Sequence, residues 1–86
     1  MLQVSWSKRA LKQLGAIDTR YRKRIKEKVG ELTGFPDVKL DLKKLESSGK
    51  QYRLRVGDYR IIFELIDGTP QICEILEVKR RTSTTY

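Results

Sequence analysis

The sequence predicts an α+β domain in which an N-terminal helical hairpin packs on a small, twisted, mainly antiparallel four-stranded sheet. Three observations carry that expectation. Apolar and polar residues alternate on both sides of Gly57-Asp58, the pattern of two strands joined by a tight turn. Upstream, apolar residues recur at helical spacing over residues 8–14 and 19 to about 33, with Gly15 between them. The chain has 86 residues and is 38% hydrophobic, enough for one thin core but not for two helical layers around a sheet. Residues 1–86 are therefore read as a single domain.

The elements follow in order. Leu2, Val4 and Trp6 alternate with Gln3 and Ser5, giving a short strand with one buried face. Ser7 offers an N-cap to a first helix, in which Leu11 and Leu14 form a modest apolar stripe and Gly15 marks the end. Asp18 caps a second helix, where Tyr21, Ile25, Val29 and Leu32 line one face until Gly34 and Pro36 stop it. Arg20, Arg22, Lys23, Arg24, Lys26 and Lys28 crowd the rest of that helix. With Glu27 and Glu31 as local partners, this reads first as a solvated face and otherwise as a sequence-blind steering surface.

Residues 37–50 are assigned no element. Leu40, Leu42 and Leu45 anchor the stretch to the core, and Ser47-Ser48-Gly49 is a loop. Gly57, first in a two-residue turn, suits a type II′ hairpin. Its register then opposes Val56 to Tyr59, Arg55 to Arg60, Leu54 to Ile61 and Arg53 to Ile62. The second hairpin strand runs on to Ile66, Asp67-Gly68-Thr69-Pro70 turns the chain, and a last strand spans residues 71 to about 78. Ile61-Ile62-Phe63 is apolar on both faces, which places its strand centrally. Cys73 lies in an apolar strand and is read as packing.

That register turns Tyr52, Leu54, Ile61 and Phe63 to one face and Arg53, Arg55 and Arg60 to the other. Like charges directly opposite each other cost up to ~1 kcal/mol at an exposed site. A solvated outer face tolerates that cost; a polyanion, above all phosphate, would exploit it through the guanidinium forks. Lys79 and Arg80, leaving the last strand, are expected at the edge of this face, with Tyr86 able to fold back over it. Lys43, Lys44 and Lys50 add charge near the hairpin entry, and Arg81 extends the basic tail.

Nineteen Lys and Arg against eleven Asp and Glu give a net charge of +8, favouring nucleic acid or another polyanion, with an acidic protein as competitor. With no His and a single Cys, the chain has no histidine-based triad, zinc site or internal disulfide, and its acids form no magnesium cluster. No cofactor fingerprint, signal peptide or bilayer-length apolar run occurs, so the expected setting is cytoplasmic. Lys, Arg, Tyr and Glu suit one reaction well, attack of an RNA 2′-hydroxyl on its own 3′-phosphate. There the substrate brings the nucleophile, and the protein aligns it, stabilises charge and moves protons.

The stretch from Tyr52 through Phe63, the order of elements, and Lys79-Arg80 with Tyr86 six residues after the arginine resemble the RelE/ParE toxin superfamily, its RelE branch in particular. The resemblance implies a bacterial toxin that cleaves mRNA in the ribosomal A site without a metal and leaves a cyclic phosphate. It implies a cognate antitoxin as a partner, with the ribosome and mRNA as targets. It also implies functional positions for Arg53, Arg55, Arg60, Arg80 and Tyr86, beside which Lys44, Lys50, Lys79 and Arg81 are read from their charge and place in the chain as RNA contacts. Where RelE proteins typically carry lysine at the first pair, this chain has Arg53 and Arg55. Arginine does not deprotonate near neutral pH, so the base would be Tyr86, Lys79 or Lys50. The ParE branch supplies the alternative, a non-enzymatic poison of DNA gyrase.

Overall fold

The computed structural model describes residues 2–35, 37–45 and 50–80. Strand β1 (Leu2–Trp6) leads into helices α1 (Lys8–Gly15) and α2 (Thr19–Gly30), and a 3₁₀ turn at Glu31–Gly34 closes the helical part. Strands β2 (Leu42–Lys44), β3 (Gln51–Val56), β4 (Tyr59–Ile66) and β5 (Gln71–Arg80) complete the chain. They form one sheet in the order β1-β5-β4-β3-β2, parallel between β1 and β5 and antiparallel elsewhere.

The expected four-stranded, mainly antiparallel sheet under an N-terminal helical hairpin is thus corrected to a five-stranded mixed sheet, in which the strand read from Leu2, Val4 and Trp6 precedes the helices and pairs in parallel with β5. The fifth strand is β2, within the stretch left unassigned from sequence. Three residues are too few to show a period. β2 exists because Leu42, Lys43 and Lys44 pair with Leu54, Arg53 and Tyr52, and because the Arg55 N–H donates to the Asp41 carbonyl at 3.0 Å.

The helices dock by their own caps and spacing. The Ser7 hydroxyl accepts from the Ala10 N–H (3.0 Å) and donates to the Leu76 carbonyl (3.1 Å), tying α1 to β5. Ala10 and Leu14, four residues apart, are buried, whereas Leu11 is 52% exposed, so the apolar stripe of α1 is offset from the expected Leu11–Leu14 pair. The small Ala10 lets the helix lie close to the sheet. Asp18 caps α2, and its hydrogen bond from the Arg20 N–H holds the carboxyl below its usual range. Ile25, Val29 and Leu32 are buried as their spacing requires, but Tyr21 is 46% exposed. Regular helix ends at Gly30 rather than near Thr33, and the 3₁₀ turn carries Leu32 into the core. Ser7→Ala, which removes both bonds, is expected to cost about 1–2 kcal/mol in urea unfolding. A loss under a few tenths would show the tie to be idle.

Under the helices, one face of the sheet contributes Leu54, Val56, Ile61, Phe63, Cys73, Ile75 and Val78 to a single core. Phe63 has no exposed surface, stacks on Tyr52 with centroids 5.5 Å apart, and meets Phe35 edge-on at 6.4 Å. Cys73 is equally buried, and burial pushes its thiol from 9.0 up to about 12. Iodoacetamide at neutral pH should therefore leave the native protein unmodified and label it once urea unfolds it; native labelling would contradict the buried placement. Because the unfolded chain loses this proton first, Cys73 also erodes stability as pH rises between about 9 and 12.

Candidate functional site

The sheet's other face carries no described helix, and the hairpin β3–β4 sets its chemistry. Gly57, at φ +59°, opens the turn, and Asp58 does not share its positive φ, as a type II′ geometry requires. The register is the one the turn dictates, with Arg55 opposite Arg60, Leu54 opposite Ile61 and Arg53 opposite Ile62. Arg53, Arg55, Gly57, Tyr59 and Arg60 line a small cavity of about 110 Å³.

The three arginines differ. Arg55 and Arg60 are exposed and, among the described residues, have no side-chain hydrogen-bond or carboxylate partner. Arg53 is only 20% exposed at its side chain, and its Nη2 donates to Asp41 Oδ1 at 3.2 Å. Its Nε is buried with no hydrogen-bond partner among the described residues. Lys43 lies opposite Arg53 on β2, and Lys79 lies opposite Arg60 on β5. Five cations therefore share this face in adjacent register. Such an array of directed N–H donors suits the non-bridging oxygens of a phosphodiester, and in a trigonal-bipyramidal transition state it meets greater charge than in the ground state.

Lys79 reaches that face through an irregularity in β5. The pairing steps from Ile62–Glu77 to Phe63–Ile75, leaving Leu76 as an extra residue. Strict alternation after buried Ile75 would turn Glu77 and Lys79 to the core side and Arg80 to the arginine face. The bulge reverses this: Glu77 and Lys79 join the arginine face, while Val78 is buried and Arg80 pairs with Tyr59 on the helix side. Two side chains from α1's end of the molecule hold the bulge. Ser7 binds the Leu76 carbonyl, and Gln13 Oε1 accepts from the Val78 N–H at 2.7 Å. Nothing in local sequence marks either partner, since each acts across more than sixty residues of chain.

Of the expected site, the structure brings Arg53, Arg55 and Arg60 together and sets Lys79 beside them. Arg80 lies instead on a groove of about 460 Å³ with Gln13, Ile17, Tyr21, Tyr59 and Val78, and Tyr59 borders both sites. Lys44 is exposed on the edge strand β2, and Lys50 is exposed just before β3. Arg81 and Tyr86 lie outside the described residues. Asp41 escaped the sequence reading because the element it precedes did. Among the described residues no three His, Cys, Asp or Glu side chains gather as metal ligands, and no helix is long and apolar enough to cross a membrane.

Comparison with known proteins places this geometry. A family model described as the ParE toxin of type II toxin–antitoxin systems matches residues 4–84. The chain is 37% identical over 67 residues to Toxin RelE3 of Methanocaldococcus jannaschii, covering 74% of this chain and 76% of that protein. It is similar to an archaeal RelE–RelB complex from Pyrococcus horikoshii, with TM-score 0.76 and 30% identity over 96% of this chain and 98% of that one. The isolated E. coli RelE toxin matches at TM-score 0.79 over 95% of this chain and 86% of that one; at 20% identity that likeness concerns the fold alone.

Proposed function

The chain belongs to the ParE-toxin family of type II toxin–antitoxin systems and is a toxin of RelE type, and from that premise we propose that it is an endoribonuclease acting on mRNA in the ribosomal A site. The observation that carries the reading is the Arg55–Arg60 pair, opposed across a hairpin, without side-chain partners among the described residues, and sharing a cavity with Arg53. Opposed guanidiniums are a cost to the folded state alone and an asset once a phosphate sits between them.

In the reaction proposed, the 2′-oxygen forms a bond to the adjacent phosphorus as the bond from phosphorus to the 5′-oxygen breaks. The products are a cyclic phosphate and a 5′-hydroxyl. The proton leaving the 2′-hydroxyl passes to a base, and the departing 5′-oxygen acquires one. Arg53, Arg55 and Arg60 bind the scissile phosphate and stabilise its added charge, with Lys79 as an accessory cation. None of the three arginines serves as the base. Arg80, in the helix-side groove that shares Tyr59 with the arginine cavity, contacts the RNA chain away from the three arginines, and Tyr86 stacks on a base or carries a proton. Lys44, Lys50 and Arg81 add contacts to the RNA backbone. The reaction needs no metal or cofactor, since the substrate supplies the nucleophile.

The net charge of +8 supports docking against ribosomal RNA. The RelB chain in the Pyrococcus horikoshii complex supports a cognate antitoxin here. Primer extension on a defined mRNA in purified translating ribosomes tests the reading. Cuts inside the A-site codon that need ribosomes and vanish in an Arg55→Ala/Arg60→Ala variant are expected. Intact mRNA alongside arrested growth would overturn it. The matched family's description names ParE, which favours gyrase poisoning as the second reading, and gyrase-dependent DNA breaks would then be the expected lesion.

A further inference from the structure

Asp41 is the carboxylate joined to the arginine cavity, and it is joined twice. Its carbonyl accepts from the Arg55 N–H at 3.0 Å, and its Oδ1 accepts from Arg53 Nη2 at 3.2 Å. The residue immediately before β2 therefore takes its place from the backbone of one cavity arginine and grips the guanidinium of another.

Arg53 needs such a grip. Its side chain is only 20% exposed, its Nε is buried without a partner among the described residues, and Lys43, Arg55 and Arg60 are its charged neighbours in register or in the cavity. Glu64 and Glu77 share this face across β4, but Asp41 is the carboxylate bonded to Arg53, and without it a guanidinium on a long stem beside like charges would swing toward water and lose its orientation. Asp41 itself is 56% exposed at its side chain, so it stands at the rim behind Arg53 rather than on the cavity lining.

We propose that Asp41 is a positioning residue: it locks the Arg53 guanidinium so that the N–H groups left over face the phosphate held by Arg55 and Arg60. The proposal rests on the ribonuclease reading above and gives that site a carboxylate that acts through Arg53. It carries an electrostatic signature that a merely structural role lacks. The negative charge of Asp41 weakens the attraction of the resting site for RNA while improving alignment in the transition state. Binding and turnover should therefore move in opposite directions when the charge is removed.

The test uses the full chain with Asp41→Asn, which keeps an acceptor and drops the charge, and Asp41→Ala, which removes the grip. Ribosome-coupled cleavage gives kcat and KM. Fluorescence anisotropy with a short, non-cleavable 2′-O-methyl RNA gives affinity without chemistry. Asp41→Asn should bind that RNA about 3–10-fold more tightly at low salt, the effect of one partly screened charge. Asp41→Ala should lower kcat about 10–100-fold without raising KM, as expected when a group is misplaced by ångströms. In ¹H–¹⁵N spectra, the Arg53 Nε–H signal should be sharp and protected in the wild type and should broaden or exchange in Asp41→Ala.

Unchanged kcat and RNA affinity in both variants would overturn the proposal. So would activity losses that merely track the unfolded fraction in thermal melts. If the wild type itself cleaves no RNA, the ribonuclease reading fails separately. The Arg53 signal and the anisotropy series still decide whether Asp41 holds the arginine against an anion: a signal unaffected by Asp41→Ala counts against it.

Discussion

Arg60→Ala is expected to reduce ribosome-dependent RNA cleavage by about 10²–10³-fold, the loss typical of one removed donor to a developing oxyanion. The same substitution should leave the protein as stable as before, or more so. Arg60 faces Arg55 directly across the hairpin, and among the described residues it has no partner to lose. Relief of that opposition contributes up to ~1 kcal/mol in urea unfolding. Arg55→Ala should behave alike. The double variant should fall short of the product of the single effects, because in the proposed reaction both side chains bind one phosphate. Activity that survives Arg60→Ala within a factor of about three would remove this cavity from the chemistry.

Phe63→Ala should abolish a stable fold rather than an activity. Phe63 is fully buried at the centre of β4, the middle strand of the sheet, and its ring joins Tyr52 and Phe35 in one aromatic cluster. Truncating such a ring costs about 3–5 kcal/mol, against a total stability of roughly 5–15 kcal/mol for a native domain. An 86-residue domain sits low in that range, so the urea midpoint should collapse toward zero denaturant. Leu11→Ala is the matched control. Its side chain is half-exposed, and it should shift stability by no more than about 0.5 kcal/mol. Similar losses at both positions would contradict the core as described.

The hairpin was fully legible in the sequence because two independent signals coincide there. Gly57-Asp58 sets the turn type, and the period of two sets the faces, so one register satisfies both. The stretch from Tyr52 to Phe63 therefore sets Arg53, Arg55 and Arg60 on one face by its pattern alone. The helix caps at Ser7 and Asp18 were legible for the same reason, each being a local bond with a local residue type.

What escaped the sequence depends on distant partners. β2 is held by β3 and has no pattern of its own, and with it went Asp41. The extra residue at Leu76 flips every later side chain of β5, so Arg80 moves from the expected arginine face to the tyrosine groove. The only local trace of that shift is the change of phase from buried Cys73 and Ile75 to buried Val78 between Glu77 and Lys79, and the side chains bonded to the bulge, Ser7 and Gln13, lie at the other end of the chain. The placement of Leu11 and Tyr21 failed for a related reason. A stripe of apolar spacing says which residues align, but not how far the helix rolls against its sheet.

The parallel pairing of β1 with β5 also has a consequence in time. Ser7 and Leu76, bonded where these strands meet α1, are 69 residues apart. During synthesis, Leu2, Val4 and Trp6 emerge early and wait with an unpaired edge until Gln71, Cys73 and Ile75 have been made. Most of the nascent chain can form the hairpin of β3 and β4, but β4 then lacks its neighbour and the sheet lacks its closing strand. Such non-local closure slows folding, because a long loop must close before its contacts form. The three arginines of the hairpin can thus come together before β5 is made, whereas Lys79 joins their face only once β5 has paired with β4.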